Sequence, residues 1–303
     1  MSYLNITVRD RIGLNQKIFE DVRTQTKRFM SFLMVSSIFL SINSSLKLYF
    51  SFLLFDLNPV PNFIFAIFFV TFSVYSLNRL TDKEEDAINM PERVTYIKDR
   101  ELLVLTLIVF SYGFAIVLGL SISILTIPIL LVPLFSGIAY SVKIFSRVRL
   151  KDIPVVKSVI VSLCWATGAA FLPPIDSGKS IILIFSVFYF FFLKSFINTV
   201  LFDVRDVEGD SKNGTMTIPV LIGIPKTRLL LLTLQSLLVV GLIISLKSGF
   251  FLKFAPILLF SMFYGYFYIL FFCNEGFWQK RKFSLDLIVD GEWIPIALLT
   301  IIM

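Results

Sequence analysis

The chain has 303 residues, of which 56% are hydrophobic and only 16% charged, and its mean hydropathy is +0.84. A soluble domain carries about a quarter charged residues, so the composition excludes one and points to a polytopic membrane protein. The lack of any histidine removes histidine-type zinc sites, Ser-His-Asp catalysis and histidine proton relays, and leaves carboxylates, Lys, Arg, Tyr, Asn or a bound metal for chemistry.

Residues 1–28 are polar and carry Arg9, Arg11, Lys17, Arg23, Lys27 and Arg28, with no short apolar core of the kind a cleaved signal needs. They read as a cytoplasmic N-terminal segment ahead of a single transmembrane domain over 29–303. Apolar runs against polar breaks predict nine spanning helices, at 29–53, 61–81, 101–121, 124–143, 154–172, 180–202, 227–246, 251–273 and 284–302. Asn58-Pro59-Val60-Pro61 and Pro173-Pro174 are strong helix stops between them. Cys164 and Cys273 lie far apart inside apolar runs and read as small buried hydrophobes.

Charge gives these segments a sidedness. With the N-terminus in the cytoplasm, 22 of the 28 Lys and Arg fall on the inner face. The outer face receives only Lys47, Lys179, Lys247 and Lys253, while Lys157 and Lys194 fall within spans. This is a positive-inside pattern, and it accounts for the net charge of +7 without nucleic acid as a partner. Nine spans then place Met303 outside.

Two acidic stretches end lipid-soluble segments on that inner face: NRLTDKEEDAINMPERV from Asn78, and LFDVRDVEGDSKNG from Leu201. Asn78, Asp82 and Asp86 are spaced i, i+4, i+8, and Asp203, Asp206 and Asp210 i, i+3, i+7, so each set shares one helical face. Such acids can be ordinary solvated loop residues. At a helix C-terminus, however, each opposes the macrodipole at a cost of about 0.3–1 kcal/mol, and this chain does so twice. A divalent cation would relieve the conflict, and oxygen-only ligands favour Mg²⁺ or Ca²⁺ over zinc or copper. Mg²⁺ uses few carboxylates and completes its shell with water and phosphate oxygens, which suits two sparse stripes facing a diphosphate.

The pattern N-x3-D-x3-D, followed by Asn89, Pro91 and Arg93, resembles the first signature of the UbiA-type intramembrane prenyltransferases. The pattern D-x2-D-x3-D, with Glu208-Gly209-Asp210 and then Lys212, Gly214, Thr217, Ile218 and Pro219, resembles the second. After Arg93 the chain reads VTYIKDR, where many members have Pro and a small-residue turn. The resemblance implies an all-α membrane protein with nine transmembrane helices around a central lipid-accessible cavity under a cytoplasmic cap. It further implies Mg²⁺-dependent transfer of an isoprenyl group from an allylic diphosphate to an aromatic quinone precursor or other lipophilic acceptor, with release of diphosphate. Asp82, Asp86, Asp203 and Asp210 would hold the metal and do the catalytic work, and Asn78 and Asp206 would complete or orient its shell. The many Phe residues offer either cavity wall, able to stabilise a carbocation, or lipid-facing bulk.

Several further residues bear on this reading. Arg93 offers a guanidinium fork suited to phosphate. Tyr140 and Lys143 close the fourth segment in YSVK, where family members carry a similar Tyr-Ser element; they read as diphosphate or acceptor contacts, or as an interfacial Tyr and a snorkelling Lys. Lys194 lies nine residues before Asp203, about 13 Å deeper along a helix, with Asn198 on its face; both are expected to line the cavity. Lys151 and Lys157 read as interfacial or packing charges. Asp286, Asp290 and Glu292 either pair with an intramembrane Lys or line the cavity near the acceptor.

Two rival classes are weighed. An ion-coupled transporter would use acids near the midplane on broken helices. A CDP-alcohol phosphotransferase would show a D-G-x2-A-R signature, which this sequence lacks.

Overall fold

A computed structural model of the chain describes residues 8–141, 143–144, 148–149, 153, 155–212, 214–274 and 282–302; side chains are described over 19–26, 28–137, 153, 155–212, 214–274 and 285–302. The described residues are almost wholly helical. In chain order they form α1 (Val8–Val35), α2 (Ile38–Leu54), α3 (Pro61–Thr81), α4 (Lys83–Asn89), α5 (Pro91–Ile97), α6 (Glu101–Leu120) and α7 (Thr126–Ser141). A minimal hairpin, β1 (Lys143–Ile144) paired antiparallel with β2 (Val148–Arg149), precedes α8 (Val156–Phe171). Then come α9 (Ile181–Lys212), α10 (Ile218–Ile222), α11 (Ile224–Lys247), α12 (Ala255–Phe272), α13 (Lys282–Val289) and α14 (Trp293–Ile302).

Five helical stretches are long and apolar enough to cross a membrane: α3, α6, α9, α11, and Leu252–Phe272 with its short 3₁₀ lead-in. The bent pair α1–α2 raises this to six, and α7 and α8 are shorter apolar helices. The chain is a multi-pass membrane protein.

Three expected segments are built differently from a plain rod. The segment at 29–53 is two helices meeting at 69°, because Ser37 adopts a left-handed conformation (φ 67°) between them. The break leaves the last carbonyls of α1 without helical partners. Arg79, buried on α3, fills them: its guanidinium donates to Val35 O and, at 3.0 Å, to Met34 O. The segment at 284–302 is likewise interrupted, by a 3₁₀ turn at Asp290–Glu292 between α13 and α14. The segment ending at 202 continues as helix to Lys212, because nothing in DVRDVEGDSK stops it.

That continuation corrects the dipole argument. Asp203 sits well inside α9, about two and a half turns from its end, so it does not oppose a C-terminal dipole. On the other side α3 ends at Thr81, and Glu84, Glu85 and Asp86 open the first turn of α4, where acids are favourable. Yet the register survives the junction. Asp82 N donates to Asn78 O (2.8 Å) and Asp86 N to Asp82 O (2.9 Å), so Asn78, Asp82 and Asp86 stay on one face.

α3 packs on α2, α6 and α7, and α9 packs on α8, α10 and α11. The halves close through α2 on α8, α7 on α8 and α14 on α2. The helices α6, α11 and α12 stand outside this ring. Their outward apolar side chains, such as Leu102, Phe110 and Phe263, are 72–78% exposed, as lipid-facing residues are. Lys47, placed by charge counting on the outer face, is instead in the middle of α2 and turned to the interior.

Candidate active site

The ring encloses a cavity of about 270 Å³. Its walls come from α2, α3, α4, α5, α7, α8, α9, α13, the 3₁₀ turn and α14. At one end both acidic stripes converge. Asn78, Asp82 and Asp86 approach from α3 and α4, and Asp203, Asp206 and Asp210 from α9. Across the whole cavity eight carboxylates face five Lys and Arg, an excess of negative charge that a bound cation would offset.

The two stripes meet where the Asn89 side-chain amide packs on Gly209. A Cβ placed on Gly209 of α9 would lie 2.1 Å from the Oδ1 of Asn89, at the end of α4. Two residues of the paired motifs therefore meet each other, and glycine is what allows it. Gly209→Ala should cost about 1–3 kcal/mol by overpacking and push α4 off α9. The check is a thermal denaturation comparison with wild type in detergent; an unchanged midpoint would show that the contact does not matter.

Cations hold most of the acids. Asp203, 2% exposed, accepts from Lys157 Nζ at 2.7 Å and from Ser158 Oγ at 3.3 Å. Arg205 grips Asp206 bidentately at 2.8 and 2.9 Å and reaches Asp286 at 3.1 Å. Arg93 spans Asp86 at 3.4 Å and Asp286 at 3.6 Å. Burial pushes the Asp86 carboxyl above the usual carboxylate range, against the pull of Arg93 and Arg79. Among the described residues no group of three or more acids is arranged to hold a metal ion. Lys157, Arg205 and Arg93 draw Asp203, Asp206 and Asp86 toward themselves.

Two oxygens at this end stay unserved. Asn78 Oδ1 and Asp210 Oδ2 are both buried without a hydrogen-bond partner, which is costly unless something not present in the chain binds them.

The structure sorts the expected site residues. Asn78, Asp82, Asp86, Arg93, Asn198, Asp203, Asp206 and Asp210 all line the one cavity. The side chains of Tyr140 and Lys143 lie outside the described residues. Lys194 is a correction. Although one turn from Asn198, it points away from the cavity and is wholly buried, with Nζ 2.7 Å from Glu292 Oε1. A charge in the membrane interior needs a counter-charge more than it needs water, and Glu292 supplies it. Asp206, expected to complete or orient a metal shell, has both oxygens on Arg205. Of the open alternatives for the last segment, Glu292 takes the Lys pairing, Asp290 lines the cavity, and Asp286 anchors Arg205 and Arg93.

Lys157 and Arg205 line the cavity and pair with its acids, which sequence reasoning missed. Lys157 read as packing, and the adjacent Arg205 and Asp206 do not share a helical face by spacing. The only available signal was that both sit on helices carrying or facing the acids. Of the two readings of the Phe residues, lipid-facing or packing bulk is the one the cavity lining favours. Among the described residues Phe202 is the only Phe lining the cavity; the ring surface there comes mainly from Tyr75 stacked on Trp165 (5.7 Å, 4° between planes) and from Trp293.

Against known proteins, the profile of the UbiA prenyltransferase family matches residues 27–285. The chain belongs to this family. It is an intramembrane prenyltransferase. No curated protein matches the chain. A UbiA homologue from Archaeoglobus fulgidus, solved with DMAPP and Mg²⁺, superposes with a TM-score of 0.62 at 15% identity, covering 90% of this chain and 98% of that one. The same homologue with GPP and Mg²⁺ gives 0.63 at 15%, covering 90% and 100%. A structure described for digeranylgeranylglyceryl phosphate synthase gives 0.58 at 17% identity, covering 91% and 100%. At such identities the likeness is one of fold, and this UbiA-family chain shares that fold over nearly its whole length.

Proposed function

We propose that this UbiA-family enzyme transfers an isoprenyl group from an allylic diphosphate to a lipophilic acceptor, an aromatic quinone precursor or another lipid, with Mg²⁺ as cofactor. The carrying observation is the convergence of Asn78, Asp82 and Asp86 with Asp203 and Asp210 at one end of one cavity, with Asn78 Oδ1 and Asp210 Oδ2 buried and unpartnered. Oxygen-only ligands and orphaned oxygens fit Mg²⁺. Asn78, Asp82, Asp86, Asp203 and Asp210 would hold it. When bound, the metal supplies charge neutralisation that makes diphosphate a better leaving group. The DMAPP- and GPP-bound homologues with Mg²⁺ support this assignment.

The chain's own residues do the rest. Arg93, held between Asp86 and Asp286, presents its guanidinium to the phosphate end. Lys157 stands beside Asp203 as a second cation for that end. The stacked Tyr75–Trp165 pair offers a ring face beside the allylic carbons, where positive charge develops. The surrounding apolar helices keep water from that charge and leave the hydrocarbon tail in a lipid-like setting. Nine passes complete the architecture if α1–α2, α13–α14, α7 and α8 each count as one. The short helices α4 and α5 form a cap over the acidic end, which with the N-terminus faces the cytoplasm, and the C-terminus lies outside. Residues 29–303 act as one domain.

A transporter would also bury acids, and Asp290 does sit on a helix break. The remaining acids nevertheless gather at one end of the cavity, and the family is one of transferases. The test is binding of geranyl diphosphate to the purified protein. Binding is expected with Mg²⁺ and lost with EDTA. Binding indifferent to Mg²⁺, or none by the folded protein across several prenyl lengths, would sink the proposal.

A further inference from the structure

Over its described side chains α1 meets the bundle near its C-terminal end. It packs on α2 and α5, and the Phe32 ring stands edge-on to Tyr96 of α5 at 6.0 Å. Toward its N-terminus the helix runs clear: every described side chain over 19–26 and 28–29 is exposed. These include the large apolar residues Phe19, Val22 and Phe29, which are 57–69% exposed.

The geometry sets where this free helix lies. α2 packs along α3, one of the helices long and apolar enough to cross a membrane, and α1 leaves α2 at a bend of 69°. α1 therefore runs nearer to the membrane plane than to its normal. The corner also sits at the membrane boundary. Arg79 donates to Val35 O at the corner, and Arg79 lies two residues before α3 ends and the charged run Lys83-Glu84-Glu85-Asp86 begins.

The sequence of α1 suits that place. Phe19, Val22, Phe29 and Leu33 are spaced i, i+3, i+10 and i+14, which puts them on one helical face. Glu20, Thr24 and Arg28 fall on the other side, and Arg23 borders the apolar face. Over Val8–Arg28 the helix carries six Lys and Arg against three acids. An apolar face with a basic polar side is served at the boundary between headgroups and acyl chains, where each side meets its own phase. The net positive charge selects anionic headgroups. A second copy of the chain would also cover the apolar face, but it would set like charge against like.

We infer that α1 is a membrane-surface helix that docks on anionic lipid headgroups beside the acidic end of the bundle, with Phe19, Val22 and Phe29 seated at the acyl boundary. α2 then makes the first crossing by itself. The inference is independent of the prenyl-transfer reading, since it uses only the membrane-spanning bundle and the bend.

The test uses the full chain in proteoliposomes, with a nitroxide label on Val22→Cys or on Thr24→Cys. Cys164 and Cys273 are buried, so the label goes to the introduced thiol. The lipid is phosphatidylcholine alone or phosphatidylcholine with phosphatidylglycerol, and a water-soluble nickel chelate is present on both sides. In the mixed lipid the label at position 22 should meet dissolved oxygen and be shielded from nickel, and the label at position 24 should show the reverse. In phosphatidylcholine alone that contrast should shrink. Arg23→Gln should lower the seated-to-free ratio in the mixed lipid by about fivefold. Equal nickel access at both positions in the mixed lipid overturns the inference, and so does seating indifferent to phosphatidylglycerol. Dipolar broadening between labels at position 22 overturns it as well, because a second copy would then cover the face.

Discussion

Asp82→Ala should slow diphosphate release from geranylgeranyl diphosphate by about 10²–10³-fold while the protein stays folded. Asp82 sits at the junction of α3 and α4 and lines the cavity, and its Oδ1 accepts from the neighbouring Thr81 hydroxyl at 3.1 Å. Its removal takes one carboxylate charge from the acidic end of the cavity. Asp203→Ala is a poorer probe, because it breaks a 2.7 Å ion pair with Lys157 at a buried position and would lower stability as well as activity. The assay is diphosphate release in proteoliposomes supplied with a total lipid extract, so that the native acceptor is present. Asp82→Ala turnover within tenfold of wild type, at equal Mg²⁺, would remove Asp82 from the catalytic set.

Glu292→Ala should destabilise the protein by about 3–5 kcal/mol, the largest stability effect expected here. Glu292 is fully buried, accepting from Lys194 at 2.7 Å and from the Ser261 hydroxyl at 2.5 Å. Without it Lys194 is an unpaired charge inside an apolar bundle, bonded only to Tyr268 and, at 3.4 Å, to Ser261 O. Replacing both partners by apolar residues, Lys194→Met with Glu292→Leu, should recover most of that loss. Denaturation of the single and double variants in detergent gives the coupling. Two single-variant losses that merely add in the double variant would show that the pair does not act as a unit.

The two effects separate the parts of the chain that work from those that hold. The acidic end is under-served by design, with unpartnered oxygens at Asn78 and Asp210. The Lys194–Glu292 pair behind it is saturated except for Glu292 Oε2. A wall held that firmly keeps the Asn198 amide in one orientation.

The apolar runs were legible because crossing a bilayer demands about twenty apolar residues in a row, and the acids were legible because charge in such a chain is rare enough to be read by position. The sequence by itself thus determined a multi-pass helical protein and the two stripes, Asn78–Asp82–Asp86 and Asp203–Asp206–Asp210, each set on one face by helical periodicity alone. It could not say where helices break inside apolar runs. Ser37 turns left-handed where Arg79, more than forty residues away, fills the carbonyls that the turn exposes. Nor could it say which charge pairs with which. Lys157 with Asp203, Arg205 with Asp286 and Lys194 with Glu292 are contacts between residues 46, 81 and 98 positions apart. Local spacing carries periodicity, but an ion pair forms wherever packing brings two desolvated charges together. The tertiary structure alone therefore decided which carboxylates are occupied, which oxygens are left open, and that Lys194 supports the cavity wall rather than lining it.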